Sequence, residues 1–198
     1  MTTEKTKAER ISETVARLKP FFDKEIVKLD AGAGLHQLQP TEDGIEYIHQ
    51  DGCQADGIEI CCLWNDIPLP DKSVNEIHYS DAVEHIPVWE YDAVLGELNR
   101  ILKVGGKIWG NTPNVHSVTS RYGKGEISFQ DMYLNLYGWA DSKWQQHYQT
   151  FMPDTLTPLM EKYGFGKPDY TKSPGIQDGD PNTAWWIVFE FTKLRDLK

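Results

Sequence analysis

Ile26-Val27-Lys28-Leu29-Asp30-Ala31-Gly32-Ala33-Gly34 is a β-branched apolar run that stops abruptly at alternating glycines. Such residues favour a buried strand, and the glycines supply the backbone freedom that a tight turn at a strand end needs. Before this run, Ala8, Ile11, Val15 and Leu18 recur at spacings of three and four, which predicts an amphipathic helix closed by Pro20. After it, three further strands are expected: Ile45 to His49 ending at Asp51, Ile58 to Leu63 ending at Asn65-Asp66, and Val74 to Tyr79 ending at Ser80-Asp81. The apolar period then lengthens. Tyr91, Val94, Leu95, Leu98, Ile101 and Leu102 predict a helix, with Val104-Gly105-Gly106 read as its glycine cap. Lys107-Ile108-Trp109 is a fifth strand candidate ending at Asn111-Thr112-Pro113, Thr155 to Tyr163 a short helix, and Ala184 to Thr192 a strongly apolar last strand. Strands that end in Gly, Asp or Asn and later alternate with helices argue for an α/β fold with a parallel sheet. Ligands of such sheets bind outside the carboxyl ends of the strands, where strand order reverses.

The chain has 198 residues, 39% of them hydrophobic, enough for one domain with a full core and a cleft. Its longest purely apolar stretch, Ala184 to Phe189, is six residues, far short of the ~20 that cross a bilayer. Glu4, Lys5, Lys7, Glu9 and Arg10 leave no apolar run for a secretion signal, so a cytoplasmic location is expected and disulfides are not. The cysteines, Cys53, Cys61 and Cys62, have no metal-ligand spacing, and no metal is expected. A net charge of −10 without a basic cluster removes the driving force for binding nucleic acid and points instead to a small-molecule substrate.

The glycine turn and Asp51, 21 residues beyond Asp30, form a nucleoside-binding pattern. Glycines admit a ligand close to the backbone, and a carboxylate at the tip of the second strand can accept from both ribose hydroxyls. A plain turn beside a surface aspartate is the alternative reading. A dinucleotide fingerprint would place a third glycine at Gln37 and a helix after it, but Pro40 and Gly44 leave no room for one. A nicotinamide-dependent reductase is therefore disfavoured, and a cofactor without phosphates, such as S-adenosylmethionine, fits better.

Taken together, Lys28 to Gly34, Asp51, Asn65 to Ile77, Val83-Glu84-His85-Ile86 and Glu97 to Lys107 resemble a class I S-adenosylmethionine-dependent methyltransferase, closest to methyltransferase type 11. The likeness covers residues 26 to 113, with Thr150 to Phe165 similar to a later helix of the family. It departs at His36, where many members carry a third glycine, and at Val104, where proline is usual. The resemblance implies a Rossmann-like, mostly parallel seven-stranded sheet flanked by helices, the last strand antiparallel, in a single methyltransferase-like domain over residues 1–198.

It further implies that Asp30, Ala31, Gly32 and Gly34 surround the methionine part of the cofactor and that Asp51 binds the ribose. Asp66 would accept the adenine amino group, with Ile67 against the adenine face, while Ser80 and Asp81 close the cleft. Asp66 could instead simply open the proline turn. Glu84 and His85 are read as opening a helix, where a carboxylate suits the positive end of the helix dipole. Methyl transfer is an in-line displacement that asks mainly for alignment and, for some acceptors, removal of a proton. His85 and His116 are the candidate bases.

Residues 114–150 are polar, without a clean period, and rich in aromatics: Tyr122, Phe129, Tyr133, Tyr137, Trp139, Trp144 and Tyr148. They read as a substrate-side insertion or lid, or alternatively as a satellite core or dimer contact. A catalytically silent cofactor-binding or partner-binding module on the same fold is the rival function. Monomer and homodimer remain open.

Overall fold

A computed structural model describes residues 5–34, 36–139, 145–175 and 179–197. Seven strands form one sheet in the order β3-β2-β1-β4-β5-β7-β6. β1 (Lys28–Ala31), β2 (Tyr47–Asp51), β3 (Ile60–Cys61), β4 (Val74–His78) and β5 (Leu102–Pro113) run parallel. β7 (Trp186–Lys193) is antiparallel to β5, and β6 (Phe165–Asp169) is antiparallel to β7. The expected mostly parallel sheet with an antiparallel last strand is present. Strand order reverses between β1 and β4, so their carboxyl ends flank the position where this architecture places ligands.

Burial explains the sheet. Leu29, Ile48, Ile77 and Ile108, one from each of four neighbouring strands, are 0% exposed, and Phe189 and Phe191 of β7 continue that core. The inward alternation of β7 ends at Lys193, whose ammonium donates to the carbonyls of Asn99 and Leu102 and pairs with Asp196. Among the described residues no helix connects β1 to β2, β2 to β3 or β3 to β4. α1 (Lys7–Arg17) opens on a capping box between Thr6 and Glu9. α3 (Tyr91–Ile101) buries Val94, Leu95, Leu98 and Ile101 along one face, as its period predicts.

Several local expectations are corrected. Pro20 does not end a helix but sits in the first turn of the short α2 (Lys19–Phe22), where its missing N–H costs nothing. α3 ends at Ile101 with Leu102 already extended, so Gly105 and Gly106 are no helix cap. They form an irregularity inside β5, where the register against β4 shifts between Val74 and Glu76. Gly105 has φ +85°, and a side chain at Gly106 would strike the Asn75 carbonyl. Glu84 and His85 open no helix. They lie in a single 3-10 turn, Val83–His85, ahead of α3. Residues 114–150 are not irregular throughout: α4 (Val115–Gly123) is capped by Asn114 and α5 (Phe129–Tyr137) by Ser128, both with side-chain acceptors on first-turn N–H groups. Trp144 lies outside the described residues. β6 follows α6 (Pro153–Lys162) and had no apolar signature, since Lys167, Pro168 and Asp169 are exposed.

Candidate functional site

The ends of β1, β2 and β4 meet in a hydrogen-bonded cradle. Gly32 (φ +80°) and Gly34 (φ +51°) turn the chain after β1. Gly34 N–H donates to Asp51 Oδ2 at 3.0 Å and Cys53 N–H to Asp51 Oδ1 at 2.8 Å, so this carboxylate fixes the loop while each oxygen retains a further lone pair. Gln50, 0% exposed, ties the two sides together: its carbonyl oxygens accept from Gly32 N–H, and its Nε2 donates to the Cys62 carbonyl.

Asp30 is 2% exposed and fully used. Its Oδ2 accepts from Leu38 N–H at 3.0 Å and its Oδ1 meets His78 Nδ1 at 2.6 Å; His78 Nε2 in turn meets Ser80 Oγ at 2.6 Å. This chain crosses the reversal point from β1 to β4 and sets the rotamers of Asp30 and Ser80. Ala31 is buried beneath the loop. Asp81 (φ +46°) donates its N–H to the Asn111 carbonyl, which locks the end of β4 to β5. His78 and Gln50 were not singled out by sequence reasoning; their polar side chains at interior strand positions were the available signal.

The structure brings Asp30, Gly32, Gly34, Asp51, Ser80 and Asp81 to one edge, with the loop after β3 beside them. A Cβ on Gly32 would lie 2.9 Å from Cζ2 of Trp64, so Gly32 is required by close approach as well as by φ. Trp64 packs edge-on against buried Tyr79, centroids 5.3 Å apart. Asp66 does not point to an open hollow: Arg10 of α1 pairs with it at 2.6 Å and Lys7 at 3.5 Å. Ile67 is fully buried and its carbonyl accepts from Arg100. In this conformation the Trp64 indole lies against Gly32 and the Arg10 guanidinium holds Asp66. A cleft of about 240 Å³ opens next to it, lined by Arg10, Thr14, Arg17, Cys61, Cys62 and Pro68. The residues fit a nucleoside carrying a positive charge: two left-handed glycines, a loop-capping carboxylate with spare lone pairs, and a second carboxylate whose present partners are cations.

A second cluster lies beyond β4. Glu84 is 1% exposed, and neither carboxylate oxygen has a hydrogen-bond partner; Thr112 Oγ1 and Tyr79 Oη nearby are likewise orphaned. Burial is the main influence on Glu84 and, with the Asp81 charge, lifts its carboxyl to about 8, against a smaller pull from its own and the Ala82 backbone N–H and from the Thr112 hydroxyl, which lie close but outside hydrogen-bonding geometry. His85 and His147 face each other edge to face at 4.7 Å. Burial and the His147 ring push His85 down to about 4, and burial lowers His147 as well. The segment after α5 is pinned here by Tyr148 N–H on the Glu84 carbonyl. His116, in contrast, is exposed in the first turn of α4, with Nδ1 at 3.1 Å from the Asn182 carbonyl.

A family model described as a methyltransferase domain matches residues 4–167. A search of curated proteins returns no significant match. Among solved structures, Burkholderia thailandensis 1,6-didemethyltoxoflavin-N1-methyltransferase, with bound 1,6-didemethyltoxoflavin and S-adenosylhomocysteine, is 14% identical at TM-score 0.55, covering 95% of this chain and 80% of its own. A SAM-dependent methyltransferase from Archaeoglobus fulgidus is 17% identical at TM-score 0.51, covering 95% of each chain. Human N-acetylserotonin methyltransferase, in complex with SAM, is 13% identical at TM-score 0.52, covering 95% of this chain and 56% of its own. At these identities the likeness is one of fold.

Proposed function

The chain belongs to the methyltransferase domain family, and from that premise we propose that it transfers a methyl group from S-adenosylmethionine to a small-molecule acceptor. The observation that carries this reading is the convergence of Asp30, Gly32, Gly34 and Asp51 at the reversal point of the sheet. Bound there, S-adenosylmethionine supplies an electrophilic methyl carbon on a positively charged sulfur.

The chain's residues then bind and align. Asp51 offers its remaining lone pairs to the ribose hydroxyls, and the glycine turn admits the ligand against bare backbone. Asp66 accepts from the adenine amino group once Arg10 releases it, and Ile67 backs the ring. Ser80 and Asp81 border the acceptor side. Holding the acceptor in line with the departing sulfur can supply about 7 kcal/mol or more of the barrier reduction, so few obligatory catalysts are needed. His85 is one candidate proton acceptor: a backbone carbonyl accepts from its Nδ1–H, which leaves Nε2 with the free lone pair. His116 is the second candidate.

The ring row Tyr122, Phe129, Tyr133 and Tyr137, with centroid separations of 6.2, 6.2 and 5.1 Å, supports reading α4 and α5 as the substrate side. All four rings are more than a third exposed, which suits a face that meets an apolar or planar acceptor. The described residues contain no helix long and apolar enough to cross a membrane. One observation favours a catalytically silent module instead: Trp64 lies against Gly32 and Arg10 engages Asp66. Calorimetric titration with S-adenosylhomocysteine, followed by a screen of acceptors with labelled S-adenosylmethionine, separates the two. Binding that is lost in Asp51→Ala supports the cofactor site, and turnover of any acceptor removes the silent module; absence of binding to the parent protein overturns the proposal.

A further inference from the structure

We propose that Glu84, His85 and His147 form a binding site for a single divalent transition-metal ion. Each side chain offers one donor atom, and the three donors lie within 4.8 Å of one another. Bonds of about 2 Å in tetrahedral geometry set donors roughly 3.4 Å apart, so modest side-chain rotation closes the set.

Three features of the surroundings point to a ligand. Glu84 is buried with neither carboxylate oxygen in hydrogen-bonding geometry, which leaves its acceptor capacity free for a ligand. Thr112 Oγ1 beside it is likewise buried without a partner.

The imidazoles are also prepared for coordination. His85 Nδ1 lies 3.0 Å from the Gln146 carbonyl and His147 Nδ1 3.1 Å from the Asn135 carbonyl. A carbonyl only accepts, so both rings carry their proton on Nδ1 and present Nε2 as a lone pair. Metal-bound histidines are oriented by second hydrogen bonds of this kind. Two imidazoles and one carboxylate with open positions suit Zn²⁺, Fe²⁺ or Co²⁺ better than the oxygen-seeking Mg²⁺. The site stands on its own geometry and not on the methyl-transfer reading. Where it is filled, His85 Nε2 is engaged and the proton-accepting role passes to His116.

The test uses the full chain without an affinity tag, freed of metal by chelator, and titrated with Co²⁺ while the visible absorption of the ion is followed. One equivalent is expected to bind with the intense bands of a low-coordinate nitrogen-ligated site and to raise the melting temperature. His147→Ala and His85→Ala should each weaken binding by at least about tenfold. Glu84→Gln, which keeps the side-chain shape, should do the same, whereas His116→Ala should bind as the parent does. Parent protein that shows no Co²⁺ bands, or His85→Ala and His147→Ala variants that bind as tightly as the parent, overturns the assignment. The readout needs no cofactor or acceptor, so its failure leaves the methyl-transfer proposal standing, and the reverse.

Discussion

Two acidic neighbourhoods lie along the same edge of the sheet and are held in opposite ways. At Asp30 and Asp51 every carboxylate oxygen receives a donor from the chain itself: Leu38 and His78 on one, Gly34 and Cys53 on the other. At Glu84 both oxygens are buried and neither has a partner. A carboxylate satisfied by its own fold positions backbone, and its removal orphans the donors around it. A carboxylate left unsatisfied is a cost that the fold carries, which marks a place where something else binds.

The sharpest way to break this comparison is to remove one carboxylate from each side. Asp30→Ala leaves His78 and Leu38 N–H without an acceptor and should cost about 3 kcal/mol. Glu84→Met fills similar volume with apolar atoms and should be neutral or stabilising by about 1–2 kcal/mol in chelated buffer. Urea unfolding measures both, and equal losses would erase the distinction. Next in size is Gly32→Ala, which forces a side chain into φ +80° and against Trp64. It should cost about 1–2 kcal/mol and weaken S-adenosylhomocysteine in calorimetry more than it weakens Co²⁺.

A third acid sharpens the satisfied class. Burial pushes the Glu97 carboxyl up, but Arg100 and Lys7 outweigh it and hold the group below its ordinary value. A lowered folded-state value means the stabilisation is present above the ordinary carboxylate value, about 4.3, and is lost as pH falls through the folded one. Urea midpoints of the parent should therefore drop below about pH 4 more steeply than those of Glu97→Gln. The smallest effect is expected at the half-exposed Arg10–Asp66 pair. Arg10→Ala should change stability by less than about 1 kcal/mol and, by freeing Asp66, tighten S-adenosylhomocysteine up to about fivefold. Weaker binding would mean that Arg10 contacts the cofactor instead of guarding its place.

The strand ends were legible because their signals are local. Asp30 with Gly32 and Gly34, Asp51 and Ser80-Asp81 each follow a short apolar run, and all arrive at one edge because parallel strands share a direction. The Gly105-Gly106 pair was misread for the same reason: glycines after a helical period look like a cap, and only the pairing of β5 with β4 turns them into a strand irregularity. The helices of residues 115–137 were hidden because neither is dominated by a buried apolar stripe: α4 buries only Ser117 and Val118, and α5 buries none of its side chains.

By itself the sequence determined the parallel strands, the glycine turn and the acidic strand tips, since periodicity and turn chemistry act over a few neighbouring residues. Only the tertiary structure decided that Trp64 stands over Gly32, that Arg10 answers Asp66, and that the segment holding Gln146 and His147 closes on His85 from 61 residues away. Those contacts depend on how separate elements pack, and no local pattern encodes which orphaned carboxylate a distant imidazole will face.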